Sequence, residues 1–339
     1  MKKSLCLLLA MLLCLSGCSR QVPYQRYSMS FFEYFDTIIT ITGYAQSQAE
    51  FDEAANQAKE QFGQLHRLFD NYNEYSGINN LRTLNRLAGS EAVKVEPELM
   101  DLLTYVKGLQ DQYPGKVNIA MGAVLSLWHQ AREEGRLPDG DALAHAAEHT
   151  DFNDVELNKQ ENTVFFRDPE LKLDLGAVAK GYAVERVAQT LSQTMPHFLI
   201  NAGGNVRCGE MPMDGRTAWS VSIQNPDTAL TGQGDLLTTV SAANCSLVTS
   251  GDYQRYFEVD GVRYHHIIDP ETLYPAERYH SVSVVTPDSG MADFLSTYLF
   301  VSSPEDGLAL VESLKDTEAL WVLSDGSIQR SSGFAALES

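Results

Sequence analysis

Apolar and polar positions alternate over residues 35–43, FDTIITITG, and predict a strand. Directly after it, Phe51, Ala55, Ala58, Phe62, Leu65 and Phe69 recur at helical spacing. Residues 48–69 therefore predict a long amphipathic helix, with acidic residues early and Lys59, His66 and Arg67 later, as the helix dipole favours. The polar stretch 70–80 predicts a loop, and Leu99, Leu102, Leu103, Val106 and Leu109 place a second helix over 96–112. Residues 117–131 are apolar enough for a buried helix, and the polar, charged residues 135–162 predict a surface excursion. Strands fit 163–167, 218–224, 236–241, 281–287 and 319–324. Residues 173–193 predict a strand end running into a helix, and 197–209 a strand, a glycine-rich turn and a second strand. Residues 256–269 predict a hairpin turning at Asp260-Gly261, the strongest short hairpin signal. Helices fit 290–301 and 303–314, the second capped by Ser303. Irregular alternation, with hairpins in the second half, predicts an α+β fold of mainly antiparallel sheet packed with helices.

The N-terminus follows another pattern. Lys2 and Lys3 precede an apolar run from Leu5 to Leu15, then Ser16, Gly17 and Cys18. This is the layout of a secretory signal, and the run is too short for a transmembrane helix, which needs roughly 20 apolar residues. LSGC resembles a bacterial lipobox, so the expected organisation is a signal over 1–17, a tether over 18–30 with lipid on Cys18, and a single domain over 31–339. The expected location is the outer face of the bacterial cytoplasmic membrane, or the periplasmic side of a membrane, held by more than one acyl chain. Of five cysteines, Cys6 and Cys14 would leave with the signal, and Cys208 and Cys245 are expected as buried thiols rather than a disulfide.

Composition narrows the function classes. With 44% hydrophobic and 21% charged residues the chain is globular. A net charge of −20 argues against nucleic acid, which needs excess Lys and Arg, and against attachment to anionic lipid through a basic patch.

Several segments could carry chemistry. Asp293 and Thr297, four apart on a predicted helix, offer a carboxylate and a hydroxyl on one face, with Ser296 beside them. Such hard oxygens suit Mg²⁺, although from spacing alone a solvated Asp with a packed Thr is the commoner arrangement. In LDLGAVAKG, Asp174 ends a predicted strand, Gly176 permits a turn, and Lys180 in the first helical turn could form an anion site or lie free on the surface. The NAGGN turn, Asn201 to Asn205, is neither a Walker loop nor a dinucleotide fingerprint. His265 and His266 are adjacent on a strand, so they face opposite ways and only one can serve a given site. With no His pair at i, i+4 and no Cys-x-x-Cys expected to supply ligands, zinc is not expected. The stretch from Thr249 to Tyr253 reads as a polar turn that positions a ligand.

Taken in order, FDT (35–37), NYNEYSGINNLRTLN (71–85), VNIAMGAVLSLW (117–128), LDLGAVAKGYAVE (173–185), INAGGNVRCGE (200–210), TSGDYQRYFE (249–258), HHIIDPETLYP (265–275) and MADFLSTYLF (291–300) resemble the ApbE family of FAD:protein FMN transferases. The resemblance covers about 30–310 and implies an ApbE-like, T-fold-like architecture. It implies an enzyme that uses FAD as substrate with Mg²⁺. FMN passes to a Thr or Ser hydroxyl of an acceptor flavoprotein, within a motif like Asp/Ser-Gly-Ala-Thr/Ser, and AMP leaves. Acceptors of the family are redox-pump subunits or exported flavoproteins. By the match, Mg²⁺ is held by Asp293, Thr297 and the backbone oxygen of Ala177, with Ser296 near. Lys180 faces a phosphate, and Phe35, Tyr72, Asn73, Glu74, Lys116, Val117, Asn118, Asp174 and Ile268 line the FAD site. His266 is the candidate general base, with Asp293 as rival. Asn118, Ala120, Leu273 and Phe35-Asp36 depart from the family's usual Asp, Thr, Gly and Met-Gly. Two other functions are carried beside transfer: FAD hydrolysis to FMN and AMP, and ligand binding by a lipid-anchored carrier.

Overall fold

The computed structural model describes residues 23–226 and 235–339; the expected signal and Cys18 lie outside the described residues. Its centre is an eight-stranded antiparallel sheet in the order β1 (Gln25–Phe31), β2 (Ile39–Ala45), β6 (Phe198–Ala202), β7 (Asn205–Cys208), β10 (Ser246–Gly251), β13 (Tyr279–Thr286), β14 (Glu318–Leu323) and β15 (Ile328–Arg330). Small satellites complete the strands: β3 (Val93–Lys94), β4 (Val155–Asn158) and β5 (Thr163–Phe166) form one sheet. The hairpins β8 (Trp219–Gln224) with β9 (Leu236–Ala242), and β11 (Tyr256–Val259) with β12 (Val262–His265), form two more.

The helices of the described residues are α1 (Gln48–Phe69), α2 (Leu81–Arg86), α3 (Pro97–Gln112), α4 (Gly122–Glu134), α5 (Gly140–Ala147), α6 (Ala179–Leu191), α7 (Ser289–Val301) and α8 (Pro304–Ser313). One sheet face packs on α1, α6 and α7 through a core that includes Ile39, Ile41, Phe51, Phe62, Val184, Phe294 and Trp321. The other face is covered by the β8–β9 hairpin, with Trp219, Val221, Ile223 and Val240 against Val206, Leu247 and Val322. Period-2 alternation in the strands separates the two sets, which is why both faces of the sheet can be apolar. This is the expected α+β, mainly antiparallel class.

Local signals hold at several places. Ser303 Oγ accepts the Asp306 amide, capping α8, and Asp260 and Gly261 both take positive φ (51° and 77°), as a two-residue hairpin turn requires. Cys208 and Cys245 are free, the first buried and the second half-buried, and burial pushes both thiols up. No helix among the described residues is long and apolar enough to cross a membrane.

Four boundaries differ from expectation. The tether does not run to residue 30, because β1 begins at Gln25: Tyr27, Met29 and Phe31 face the helices while Ser28 and Ser30 bond Thr42 and Thr40 of β2. The strand expected at 35 begins at Ile39, since Phe35 and Asp36 are left-handed (φ 56° and 53°). Residues 173–178 form no strand, and α6 starts only at Ala179. The excursion at 135–162 contains α5, whose N-cap Asp139 accepts the Ala142 amide, and β4.

Candidate active site

The site is built where the N-terminal turns of α6 and α7 meet the end of β10. A methyl group at Gly181 would collide with Ser289 O and Asp293 Cβ, so the missing side chain is what lets the two helices approach. At that contact Asp293, buried to 4% exposure, accepts the Gly181 amide on Oδ2 at 2.7 Å. That amide would return to Ala177 O in a continued helix, so its diversion to Asp293 leaves the carbonyl at 177 open to another partner. The Gly181→Ala variant is expected to lose about 1–3 kcal/mol of stability through overpacking, read by denaturant unfolding.

Oxygens gather here from three segments. Ser250, on β10, lies with Oγ 2.8 Å from Ser296 Oγ and 3.5 Å from Thr297 Oγ1. Ser296 Oγ also donates to Asp293 O at 2.9 Å, which fixes its rotamer. Lys180 Nζ stands 3.7 Å from Asp293 Oδ1 and donates to Asn205 Oδ1 at 2.8 Å. Asn205, 1% exposed, is the last residue of the glycine turn, so that turn delivers the side chain that aims Lys180. Gly203 must lack a side chain because Thr37 packs where its Cβ would lie. A carboxylate, hydroxyls and a freed carbonyl form a hard-oxygen donor set that suits Mg²⁺.

Beside this set stands His266, at the end of the β11–β12 hairpin. Its backbone N–H and ring Nδ1 both meet the Arg255 carbonyl, at 3.1 and 3.2 Å. Donation from Nδ1 leaves Nε2 as the free acceptor. His266 keeps an exposed edge, yet it is enclosed closely enough that desolvation, aided by the neighbouring His265, Arg255 and Lys180, pushes its pKa down to about 4. His265 is instead buried, bonded through Nε2 to Ala276 O, so the adjacent histidines do divide into one structural and one accessible ring.

A third group lies across Arg255. Asp174 accepts the Gly176 amide at 2.8 Å, and burial raises its pKa despite help from Asn71, His129 and Arg255. Tyr72 is 64% exposed and lies against His129, ring centroids 5.4 Å apart. An exposed aromatic beside Arg255, His129 and Arg132 is a platform for a planar ligand. For Asp174 the sign is that of a raised acid: stability is greatest below its unfolded pKa of 3.8 and is lost as pH rises through the folded value. Asp174→Asn is therefore expected to raise the melting temperature at pH 7, with no gain at pH 3, read by thermal unfolding at the two pH values.

The other expected lining residues are placed less directly. Phe35 packs its ring on Phe62 and His66. Asn73 is bonded to Asp70, and Glu74 pairs with Arg86 at 2.7 Å. Lys116 pairs with Glu271 at 2.8 Å, which ties the loop after His266 to the segment before α4. Val117 and Ile268 are buried, so only their backbone can face a ligand. Asn118 is used in the scaffold, accepting from Ala120 N and donating to Thr150 O. Leu273 takes φ 63°, the left-handed conformation favoured by the glycine it replaces, and its carbonyl accepts Trp128 Nε1 at 2.8 Å. Arg255, Ser250 and His129 join the site without having been singled out by sequence, although Ser250 lay in a segment read as ligand-positioning; Asn205 closes the NAGGN turn named above.

A family model described as the ApbE family matches residues 35–321. A Treponema pallidum protein named FAD:protein FMN transferase is 38% identical over 267 residues, covering 75% of this chain and 73% of its own. One of the same name from Klebsiella pneumoniae is 33% identical over 252 residues, covering 74% and 76%. Among solved structures, the ApbE protein of Thermotoga maritima superposes with a TM-score of 0.83 at 29% identity, covering 93% of this chain and all of that one. The flavin transferase ApbE of Vibrio cholerae superposes with a TM-score of 0.78 at 24% identity, covering 93% and 100%, a likeness of fold alone.

Proposed function

Since this chain belongs to the ApbE family, we propose that it is an FAD:protein FMN transferase that moves FMN from FAD, with Mg²⁺, onto a Thr or Ser hydroxyl of an acceptor flavoprotein. The observation that carries the reading is the junction at Gly181: one contact orients the Asp293 carboxylate and diverts the amide that would bond the Ala177 carbonyl, and Lys180 stands beside that carboxylate. Ala177, Asp293 and Thr297 would hold the cation, with Ser296 and Ser250 supporting them. A cation held by these residues would supply positive charge against that of the pyrophosphate. Lys180, held by Asn205, adds a second positive charge from the protein side. Tyr72 and Asp174 bind and orient the flavin half. His266, neutral at pH 7 with Nε2 free, takes the proton from the acceptor hydroxyl. The phosphorus–oxygen bond to the acceptor forms as that to AMP breaks, and AMP departs with the electron pair.

The same site with water as acceptor would hydrolyse FAD, and chromatography separates the two. With an acceptor domain present, AMP is expected without matching free FMN; equal amounts of both would favour hydrolysis. A carrier role would instead leave FAD intact. We place the protein outside the cytoplasmic membrane, anchored by lipid on Cys18. The Cys18→Ala variant is expected to move from the membrane to the soluble fraction, and its staying in the membrane would contradict that anchor.

A further inference from the structure

Contrary to the expectation of no i, i+4 histidine pair, the end of α5 carries one, His145 and His149, inside the stretch that reads by sequence as a polar excursion. The chain keeps winding past Ala147 through the bonds Glu148 N to His145 O and His149 N to Ala146 O, so the two rings stay together, centroids 5.0 Å apart. Glu170 faces both: its Oε2 is 3.2 Å from His145 Nε2 and its Oε1 is 3.7 Å from His149 Nε2. Tetrahedral zinc with ligands at about 2.0–2.1 Å has ligand–ligand edges of about 3.3–3.4 Å, which these separations bracket. Glu148 Oε2 approaches the other nitrogen of His145, Nδ1, at 4.0 Å, and so stands outside this trio.

Two further features set these residues apart from a surface ion-pair network. His149 Nε2 is buried and has no hydrogen-bond partner. Its other nitrogen, Nδ1, is 2.7 Å from Asp168 Oδ2, and Asp168 is itself fixed by the Glu170 amide at 2.8 Å. A carboxylate that takes the Nδ1 proton and turns a bare Nε2 inward is the arrangement that orients metal-bound histidines.

We propose that His145, His149 and Glu170 form a zinc site, open at its fourth position, with Asp168 as the group that positions His149. Two nitrogens with carboxylate oxygens select Zn²⁺ over Mg²⁺, so the site is distinct in ligand chemistry from the oxygen cluster at Asp293. It joins the end of α5 to segment 168–172, which leads into Asp174, while the neighbouring Thr150 O holds Asn118. The ion would tie down the outer wall of the flavin cleft.

The test is Zn²⁺ titration of the full chain, in saturating Mg²⁺, against a chromophoric chelator of about micromolar affinity, with Co²⁺ absorption reporting the geometry. One equivalent is expected, with a tetrahedral Co²⁺ spectrum. His149→Ala and His145→Ala should each lose it, and Asp168→Asn should weaken it by about 10–100-fold. Asp293→Asn should retain it in full. Absence of a tight equivalent, full affinity in both histidine variants, or loss in Asp293→Asn would overturn the assignment. Circular dichroism of His149→Gln, a milder change, separates loss of the ligand from loss of the fold: a folded variant that still binds Zn²⁺ tightly also overturns it.

Discussion

Replacing Asp293 with alanine is expected to abolish Mg²⁺-dependent FAD turnover, a fall of about 10²–10³ or more, as removal of a main charge-stabilising group produces. The residue has two jobs, and the variant removes both. Its Oδ2 satisfies the Gly181 amide, and leaving that buried donor without a partner costs about 1–3 kcal/mol. On the proposed function its charge would also hold the cation, and it faces Lys180 at 3.7 Å. Asp293→Asn separates the two, because an amide oxygen can still accept from Gly181 but carries no charge. The asparagine variant should therefore unfold near the wild-type denaturant midpoint yet show no saturable Mg²⁺ response. Full Mg²⁺-dependent activity in Asp293→Asn would contradict the metal assignment.

The second large effect concerns His266. His266→Ala is expected to slow flavin transfer by about 10²–10⁴, the range for loss of a general base, with little change in FAD affinity. The pH dependence gives a sharper readout. A base works when unprotonated, and protein around His266 holds its pKa near 4 rather than 6.5. Activity should thus persist as pH falls from 7 to 5 and decline only toward 4, where an ordinary histidine would already have lost its function. An acid limb centred near 6.5, or an unchanged rate in the alanine variant, would place the base elsewhere, with Asp293 the first alternative.

Much of the fold can be read in the sequence because its signals are local. The 22-residue α1 declares itself by helical spacing, and the β11–β12 hairpin by Asp260-Gly261. Misreadings occur where a local pattern serves two structures. In β1 the serines that look like tether bond to threonines of β2, so their polarity marks a sheet edge rather than a free segment. Alternation at FDTIITITG runs through a left-handed turn before the strand begins. The site itself is legible only as ordered motifs. Nothing local to Gly181 announces Asp293, 112 residues away, and nothing at Ser250 announces Ser296. Leu273 shows the converse: a departure in residue type preserves the backbone conformation, so the loop after His266 keeps its path.

The most direct test of the transferase reading is the intact mass of an acceptor domain incubated with the protein, FAD and Mg²⁺. A gain equal to FMN less one water is expected, lost when the acceptor's Ser or Thr is replaced by alanine and lost again with Asp293→Asn. An acceptor of unchanged mass, beside accumulating FMN and AMP, would contradict it.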